Sequence, residues 1–321
     1  MIAAKGSKDS CARTLGISTD LFQGLEVAVK REALLGKYTS LRIGGPAQIL
    51  ALPRTVEALK ELLVRARRAG LPVFLLGQGS NLLAPDEGIR GIVVSLRQGF
   101  DQIELGPGVA KEHWLLRAGA GVKLQKLVRF SADRNLEGLE FADGIPGSVG
   151  GAVAMNAGTR YGEIALVLDS ARVLDSNGEV RNWKRAEIPF SYRSSHLPSG
   201  SVVLEAVFVL HSGDPAEIRR RMTEYQQYRR RSQPLSSLSA GSIFKTPAGA
   251  SAGALIDQAG LKGMQRGGAE VSTRHANFIV NRGGATAADV LALMAEVVER
   301  VRLHSGIVLE PEIRFLAEQR V

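Results

Sequence analysis

Gly138-Leu-Glu-Phe-Ala-Asp-Gly-Ile-Pro-Gly-Ser-Val-Gly-Gly-Ala-Val-Ala-Met-Asn-Ala-Gly158 lies near the middle of a chain of 321 residues. The stretch carries six glycines: Gly138, Gly144, Gly147, Gly150, Gly151 and Gly158. That density disfavours helix and strand alike, because each glycine adds chain entropy to be lost and packs nothing. It suits a backbone that bends sharply or lies directly against a ligand. Pro146 stiffens the turn between Gly144 and Gly147. Ser148, Gly150 and Gly151 are expected to leave amide N–H groups bare, and bare N–H groups in a concave turn bind phosphate oxygens. By composition alone the stretch is equally an ordinary glycine-rich loop.

A second glycine cluster, Gly77-Gln-Gly-Ser-Asn81, follows an apolar run from Val73 to Leu76. Neither it nor Gly119-Ala-Gly121 fits the dinucleotide fingerprint Gly-x-Gly-x-x-Gly. The sixth positions are Leu82 and Leu124, and no helix pattern follows Gly79 directly. A nucleotide held in the Rossmann manner is therefore not expected.

Working outward, residues 1–19 are small, polar and aperiodic and read as a disordered tail. A helical pattern begins near Leu21 and ends near Gly36. Thr55 to Ala69 reads as a helix with Val56, Leu59, Leu62, Leu63 and Ala66 on one face. Short strands are expected at Val73–Leu76 and Gly91–Leu96, and a helix carries Leu124, Leu127 and Val128 on toward Gly138. Asp169 to Trp183 reads as a hairpin turning at Asn177-Gly178, and Val202 to Leu210 as a strand. Asp214-Pro215 opens a helix as N-cap and first residue. Its arginines, among them Arg219, Arg220, Arg221, Arg229, Arg230 and Arg231, read as a solvated face. A short helix at Ala250–Gly260, a strand at His275–Asn281 and a capped helix from Thr286 to about Ser305 complete the pattern.

Composition narrows the classes. The chain is 45% hydrophobic and 23% charged with net charge +9. No apolar run approaches the ~20 residues of a membrane span, and no secretory leader pattern is present. The lone Cys11 rules out a disulfide framework or a thiol metal site. A cytoplasmic protein with no metal and no membrane partner is expected. The positive charge fits anionic small ligands as well as nucleic acid. Aromatics at 5% are sparse for base stacking and no nucleic-acid motif is present, so no nucleic-acid partner is expected.

The residue order of the central stretch is more specific than its composition. Gly-Leu-Glu-Phe-Ala-x-Gly-Ile-Pro-Gly-Ser-Val-Gly-Gly-Ala-Val-x-Met-Asn-Ala-Gly resembles, nearly position for position, the flavin loop of the UDP-N-acetylenolpyruvoylglucosamine reductase (MurB) family. Tyr38-Thr-Ser-Leu-Arg-Ile-Gly-Gly-Pro-Ala47, the Gly77–Asn81 cluster, Tyr192-Arg-Ser, Ala240-Gly-Ser-Ile-Phe-Lys and Glu310-Pro-Glu-Ile-Arg match further family phrases. The resemblance runs from about Tyr38 to the end of the chain. It implies an α/β (α+β) fold: a two-lobed FAD-binding domain of the vanillyl-alcohol-oxidase/PCMH type plus a smaller α/β substrate-binding domain. Residues 20–210 would form the first, with a lobe boundary near 90, and 211–309 the second. Residues 310–321 would return to the cleft.

The family reduces UDP-N-acetylglucosamine enolpyruvate to UDP-N-acetylmuramate, with NADPH as reductant and bound FAD passing hydride from N5. By resemblance, FAD would contact Arg42, Gly77, Gly79, Ser80, Asn81, Gly144, Ile145, Pro146, Gly147, Ser148, Gly150, Gly151 and Asn156. Ser242 would deliver the proton, Arg193 would clamp the substrate carboxylate, and Glu312 would stabilise the enol that forms from it. Tyr192 and Lys245 would also face substrate. The chemistry asks for such a set. Hydride addition drives negative charge into the carboxylate, which fixed donors and cations stabilise, and the neighbouring carbon then needs an acid. Taken alone, Ser242 reads as a turn serine, Arg193 and Arg42 as surface arginines, and Glu312 as a strand edge.

Four departures from the family pattern stand out: Leu41 for Phe, Gln78 for Gly, Thr246 for Asn and Glu270 for Gln. The chain's length resembles the compact, type II form, and a monomer is expected. The alternative is an FAD-dependent oxidase of the same superfamily acting on a sugar or alcohol. That reading calls for a substrate base and often a His or Cys flavin link, which neither glycine loop supplies.

Overall fold

The computed structural model describes residues 17–110 and 112–321. Cys11 and most of the expected tail lie outside the described residues. Within that tail, Ile17 is buried and its carbonyl accepts from Arg31 at 2.9 Å.

The first sheet orders its strands Val27–Leu34, Pro46–Pro53, Ile89–Val94 and Val73–Leu75. The first pair is antiparallel and the rest parallel. Helix α1, Val56–Arg68, makes the connection between parallel strands. Thr55 caps it by accepting from Ala58 N, and Leu59, Leu62 and Ala66 bury its apolar stripe. The expected helix from Leu21 to Gly36 does not form. A single 3-10 turn, Thr19–Phe22, precedes the strand Val27–Leu34. Long-range pairing from Val27↔Pro53 to Leu34↔Pro46 overrides the local periodicity.

The second sheet is antiparallel: Val180–Lys184, Leu168–Leu174, Val202–Ser212, His113–Gly119 and Ile103–Pro107 in spatial order. Its first two strands are the expected hairpin, with Gly178 at φ 85° in the turn. Helix α2, Leu124–Ala132, stops short of Gly138, and a two-residue strand, Leu136–Glu137, pairs with the end of Val202–Ser212. The central stretch is not all loop: Val149–Ala154 forms helix α3. Ser148 caps it, Gly151 N donating to Ser148 Oγ at 3.3 Å, while Gly150 N donates to Ala120 O at 3.0 Å. These two amides are therefore satisfied rather than bare. Tertiary bonds supply what glycine's propensity lacks.

Helix α4, Pro215–Ser232, is capped by Asp214, which accepts from Ala216 N. Beyond it, α5 (Ala252–Gln258) and α6 (Ala287–Ser305) pack with a small antiparallel sheet of Leu238–Ser239, Ile279–Asn281, Ala269–Val271 and Gln265–Arg266. The strand expected from His275 begins only at Ile279, because residues before it turn on Ser272 Oγ. α6 carries a full capping box between Thr286 and Asp289 and ends at Gly306 with φ 74°.

Chain ends and halves are tied together. Arg314–Phe315 pairs parallel with Leu82–Leu83, and Leu75 N donates to Gln319 O. Asp86 accepts from Ala287 N and Ala288 N at the head of α6 (2.7 and 3.0 Å). No helix among the described residues is long and apolar enough to cross a membrane.

Candidate active site

One cleft of about 1260 Å³ runs between the two glycine loops, α4 and the segments around Ser242 and Glu312. A pocket for one drug-sized ligand spans roughly 300–1,000 Å³, so this cleft has room for a large cofactor and part of a second ligand.

Gly77, Gly79, Ser80 and Asn81 line one wall, with Gln78 between them. Gly144, Ile145, Pro146, Gly147, Ser148, Gly150 and Gly151 line the facing one. The loops touch: Ser80 Oγ donates to Pro146 O at 3.0 Å, and a Cβ on Gly77 would stand 3.2 Å from Ser148 Oγ. Gly147 adopts φ 144°, a conformation that L side chains avoid. Among the described residues, no acceptor meets the N–H groups of Gly77, Gln78, Gly79 and Ser80, nor those of Gly144, Gly147 and Ser148. Two sets of unpaired amides facing one cleft form an anion cradle of the kind a diphosphate fills. The donor set fits FAD.

Arg97 lines the cleft beside the first loop. It donates to Gly77 O (3.2 Å from Nε, 2.9 Å from Nη2) and to Tyr38 O (3.1 Å), holding the loop against the Tyr38 segment. Burial lowers its pKa, with Tyr38 opposing. Nothing in the sequence marked Arg97, an arginine just after a strand. Arg229 was misread as part of a solvated face. It lines the cleft, its Nε 2.9 Å from where a Gly144 Cβ would be, and burial lowers its pKa against the pull of Asp143. Arg221 also turns inward, to Glu137 (2.7 Å) and Glu140 (3.2 Å). Arg219, Arg220, Arg230 and Arg231 are exposed, and Arg230 also lines the cleft.

Arg193, Ser242 and Glu312 all line the cleft. Backbone bonds bring the last two together: Glu312 N donates to Ile243 O at 2.7 Å, and Lys245 N to Glu310 O at 2.8 Å. Gly241, at φ 75°, turns the chain just before Ser242. Asn81 Nδ2 donates to Glu312 O at 3.2 Å, tying the C-terminal segment to the first glycine loop. The Glu312 carboxylate lies 2.8 Å from Arg193 Nε, with side chains 11% and 21% exposed. Charge and proximity hold this pair, since the Nε–H does not aim squarely at the oxygen. Burial pushes the Glu312 carboxyl above its usual range, against the pull of Arg193 and Lys245.

Other expected residues lie elsewhere. Arg42 is exposed, outside the cleft lining, and donates to Lys37 O at 3.3 Å. Its neighbour Ser40 lines the cleft instead and bridges the halves, donating to Ser239 O at 2.6 Å. Asn156 is fully buried behind the lining. Lys245 pairs with Glu310 at 3.1 Å, and the Tyr192 hydroxyl accepts from Thr246 N at 3.5 Å, both beyond the lining residues. His196 does line the cleft, its Nε2 2.7 Å from Ser191 Oγ. Of the four departures, Gln78 alone lines the cleft. Leu41 is buried against α5 and α6, Glu270 is held by Gln265 (2.7 Å) and Arg282 (3.4 Å), and Thr246 is exposed.

Residues 47–184 match a family model described as FAD binding domain, and residues 233–316 match UDP-N-acetylenolpyruvoylglucosamine reductase, C-terminal domain. The chain is 42% identical over 302 residues to the UDP-N-acetylenolpyruvoylglucosamine reductase of Lactococcus lactis subsp. cremoris, covering 94% of this chain and 99% of the relative. It is 45% identical over 286 residues to that of Heliobacterium modesticaldum, covering 88% and 89%. The crystal structure of UDP-N-acetylenolpyruvylglucosamine reductase (MurB) from Thermus caldophilus superposes with a TM-score of 0.77 at 42% identity, over 91% of this chain and 99% of that one.

Proposed function

Since this chain belongs to the UDP-N-acetylenolpyruvoylglucosamine reductase family, we propose that it is an FAD-containing, NADPH-dependent reductase that converts UDP-N-acetylglucosamine enolpyruvate to UDP-N-acetylmuramate. The observation that supports this most is the part-buried Arg193–Glu312 pair, set in one cleft with Ser242 and two facing loops of unpaired amides. Bound and reduced, the flavin supplies hydride.

The chain's own residues do the rest. The amides of Gly77–Ser80 and of Gly144, Gly147 and Ser148 would hold the diphosphate of the cofactor. Arg193 offers its planar guanidinium to the substrate carboxylate, a match that Lys could not reproduce bidentately. As negative charge builds on that carboxylate, fixed donors lining the cleft stabilise it without reorganising. Burial raises the pKa of Glu312 against the pull of Arg193, which suits it to share a proton with that carboxylate. Ser242, on a turn opened by Gly241, gives its hydroxyl proton to the carbon next to the carboxylate. The cofactor-binding part then comprises residues 20–210, the substrate-binding part 211–309, and the segment 310–321 returns Glu312 to the cleft.

The test is NADPH oxidation by the FAD-loaded protein in the presence of UDP-N-acetylglucosamine enolpyruvate, with the product identified by mass. Wild type should make UDP-N-acetylmuramate. Ser242→Ala should still accept electrons from NADPH but lose turnover by ~100-fold or more. Turnover near wild type in that variant would remove Ser242 from the reaction, and no product from wild type would remove the reaction itself.

A further inference from the structure

Arg193 presents its guanidinium from an unusual backbone, φ 59°. A left-handed conformation is unfavourable for a residue with a long side chain, because Cβ crowds the following carbonyl. Something must hold the turn. Ser191 and Ser194 close it on each other, with N–H···O distances of 2.9 and 3.1 Å. Outside the turn, the support comes from the last residue of α3 and those just after it. Asn156 Nδ2 donates to Ser191 O at 3.1 Å, and its Oδ1 accepts from Ala165 N at 3.0 Å. Ala154 O accepts from Ser195, N at 3.2 Å and Oγ at 3.1 Å. Gly158 O accepts from Arg193 Nη1 at 3.0 Å.

Three alternate residues of one stretch thus hold the turn before, after and at the guanidinium. Two of these contacts use main-chain carbonyls that any residue offers. Asn156 is different. It is 0% exposed, stands behind the cleft lining, and itself adopts φ 43°, which Asn tolerates better than most residues. We infer that Asn156 is a positioning residue: it sets the Ser191–Ser194 turn so that Arg193 meets the substrate carboxylate, and it does not touch the cofactor. The glycine loop that lines the cofactor's side of the cleft and the clamp on the substrate's side are thereby built from one continuous stretch. This rests on the reading of Arg193 as the carboxylate clamp.

Asn156→Asp is the discriminating variant. It keeps an oxygen for Ala165 N and the tolerance for positive φ, but sets a carboxylate oxygen against Ser191 O. The two half-reactions are followed separately by stopped flow on the FAD-loaded protein. Affinity of the oxidised holoenzyme for UDP-N-acetylmuramate is measured by calorimetry. Flavin content and bleaching by NADPH should stay within about twofold of wild type. Reoxidation by UDP-N-acetylglucosamine enolpyruvate should slow ~10–100-fold, the range expected when a clamp is misplaced by an ångström, and product affinity should fall with it. Ser195→Ala, which removes one tether and keeps the other, should show the same split in milder form and serves if Asn156→Asp does not fold. Unchanged reoxidation and product affinity would overturn the inference. So would equal losses in flavin retention and both half-reactions, the mark of a merely structural residue. A wild-type holoenzyme that is bleached by NADPH but not reoxidised by the enolpyruvyl substrate would overturn the functional reading, and the inference with it.

Discussion

Glu312 is a carboxylate that burial and a neighbouring arginine pull in opposite directions. Desolvation is the larger effect and raises its pKa, while Arg193 and then Lys245 oppose it. The sign of the pH dependence follows. Below its ordinary value near 4.5 both folded and unfolded chains hold the proton. As pH rises, the unfolded chain releases it first, so Glu312's contribution to stability falls until pH passes the raised folded-state value. Glu312→Gln cannot ionise. The difference in unfolding midpoint between wild type and Glu312→Gln should therefore move against wild type as pH climbs from about 4.5, then level off. If wild type instead gains on the variant over that range, the attraction of Arg193 outweighs burial and Glu312 is an ordinary ion-paired carboxylate. The sequence carried Glu312 by its motif, but not its burial or its partner. Arg193 and Glu312 are over a hundred positions apart, and only the fold sets them 2.8 Å from each other.

At the scale of the element, α3 shows how neighbouring glycines serve different ends. Gly150 lines the cleft but is packed tightly: a Cβ there would lie 2.8 Å from Ala120 Cβ. Gly151 faces the cleft, where a Cβ would have Ser148 Oγ at an ordinary 3.4 Å. Gly150→Ala should lower the melting temperature by an amount equivalent to ~1–3 kcal/mol of overpacking, read by thermal unfolding without cofactor. Gly151→Ala should melt near wild type yet retain less FAD after desalting. Equal effects of the two on both readouts would contradict this division of roles. The glycine pattern told where the ligand loop lies but not that six of its residues are helical. Local propensity argues against a helix there, and the bond from Gly150 N to Ala120 O that favours one comes from a residue thirty positions away, just after the strand His113–Gly119. The same limit applies to Val27–Leu34, where a helical periodicity yields to a partner strand. α4 is the converse case. Its start at Asp214-Pro215 was legible, whereas the inward turn of Arg221 and Arg229 was not, because a charge run does not reveal which of its members finds a carboxylate or a cleft.

Across the whole molecule, the cleft exists because separate parts are tied at several points around it. Asp86 caps α6, Ser40 reaches Ser239 O, Asn281 Nδ2 donates to Leu41 O at 2.9 Å, and the final residues pair with Val73–Leu75. The Tyr38–Ala47 phrase matters through this bridging more than through Arg42, which is not among the residues lining the cleft. A Cβ at Gly45 would meet Asp86 O at 2.1 Å, so the phrase needs glycine to close the joint. Such ties are long-range and leave no periodic trace, which is why the glycine loops were legible in the sequence and the bridges between halves were not. The central claim is that this closed arrangement holds a flavin that takes electrons from NADPH and passes them to an enolpyruvyl group. The most direct test is an anaerobic visible spectrum of the protein, incubated with FAD and desalted, then given NADPH and afterwards UDP-N-acetylglucosamine enolpyruvate. A retained yellow band that bleaches with NADPH and returns with the enolpyruvyl substrate is the expected result. No retained band, or a band that bleaches and stays bleached when that substrate is added, would contradict the account.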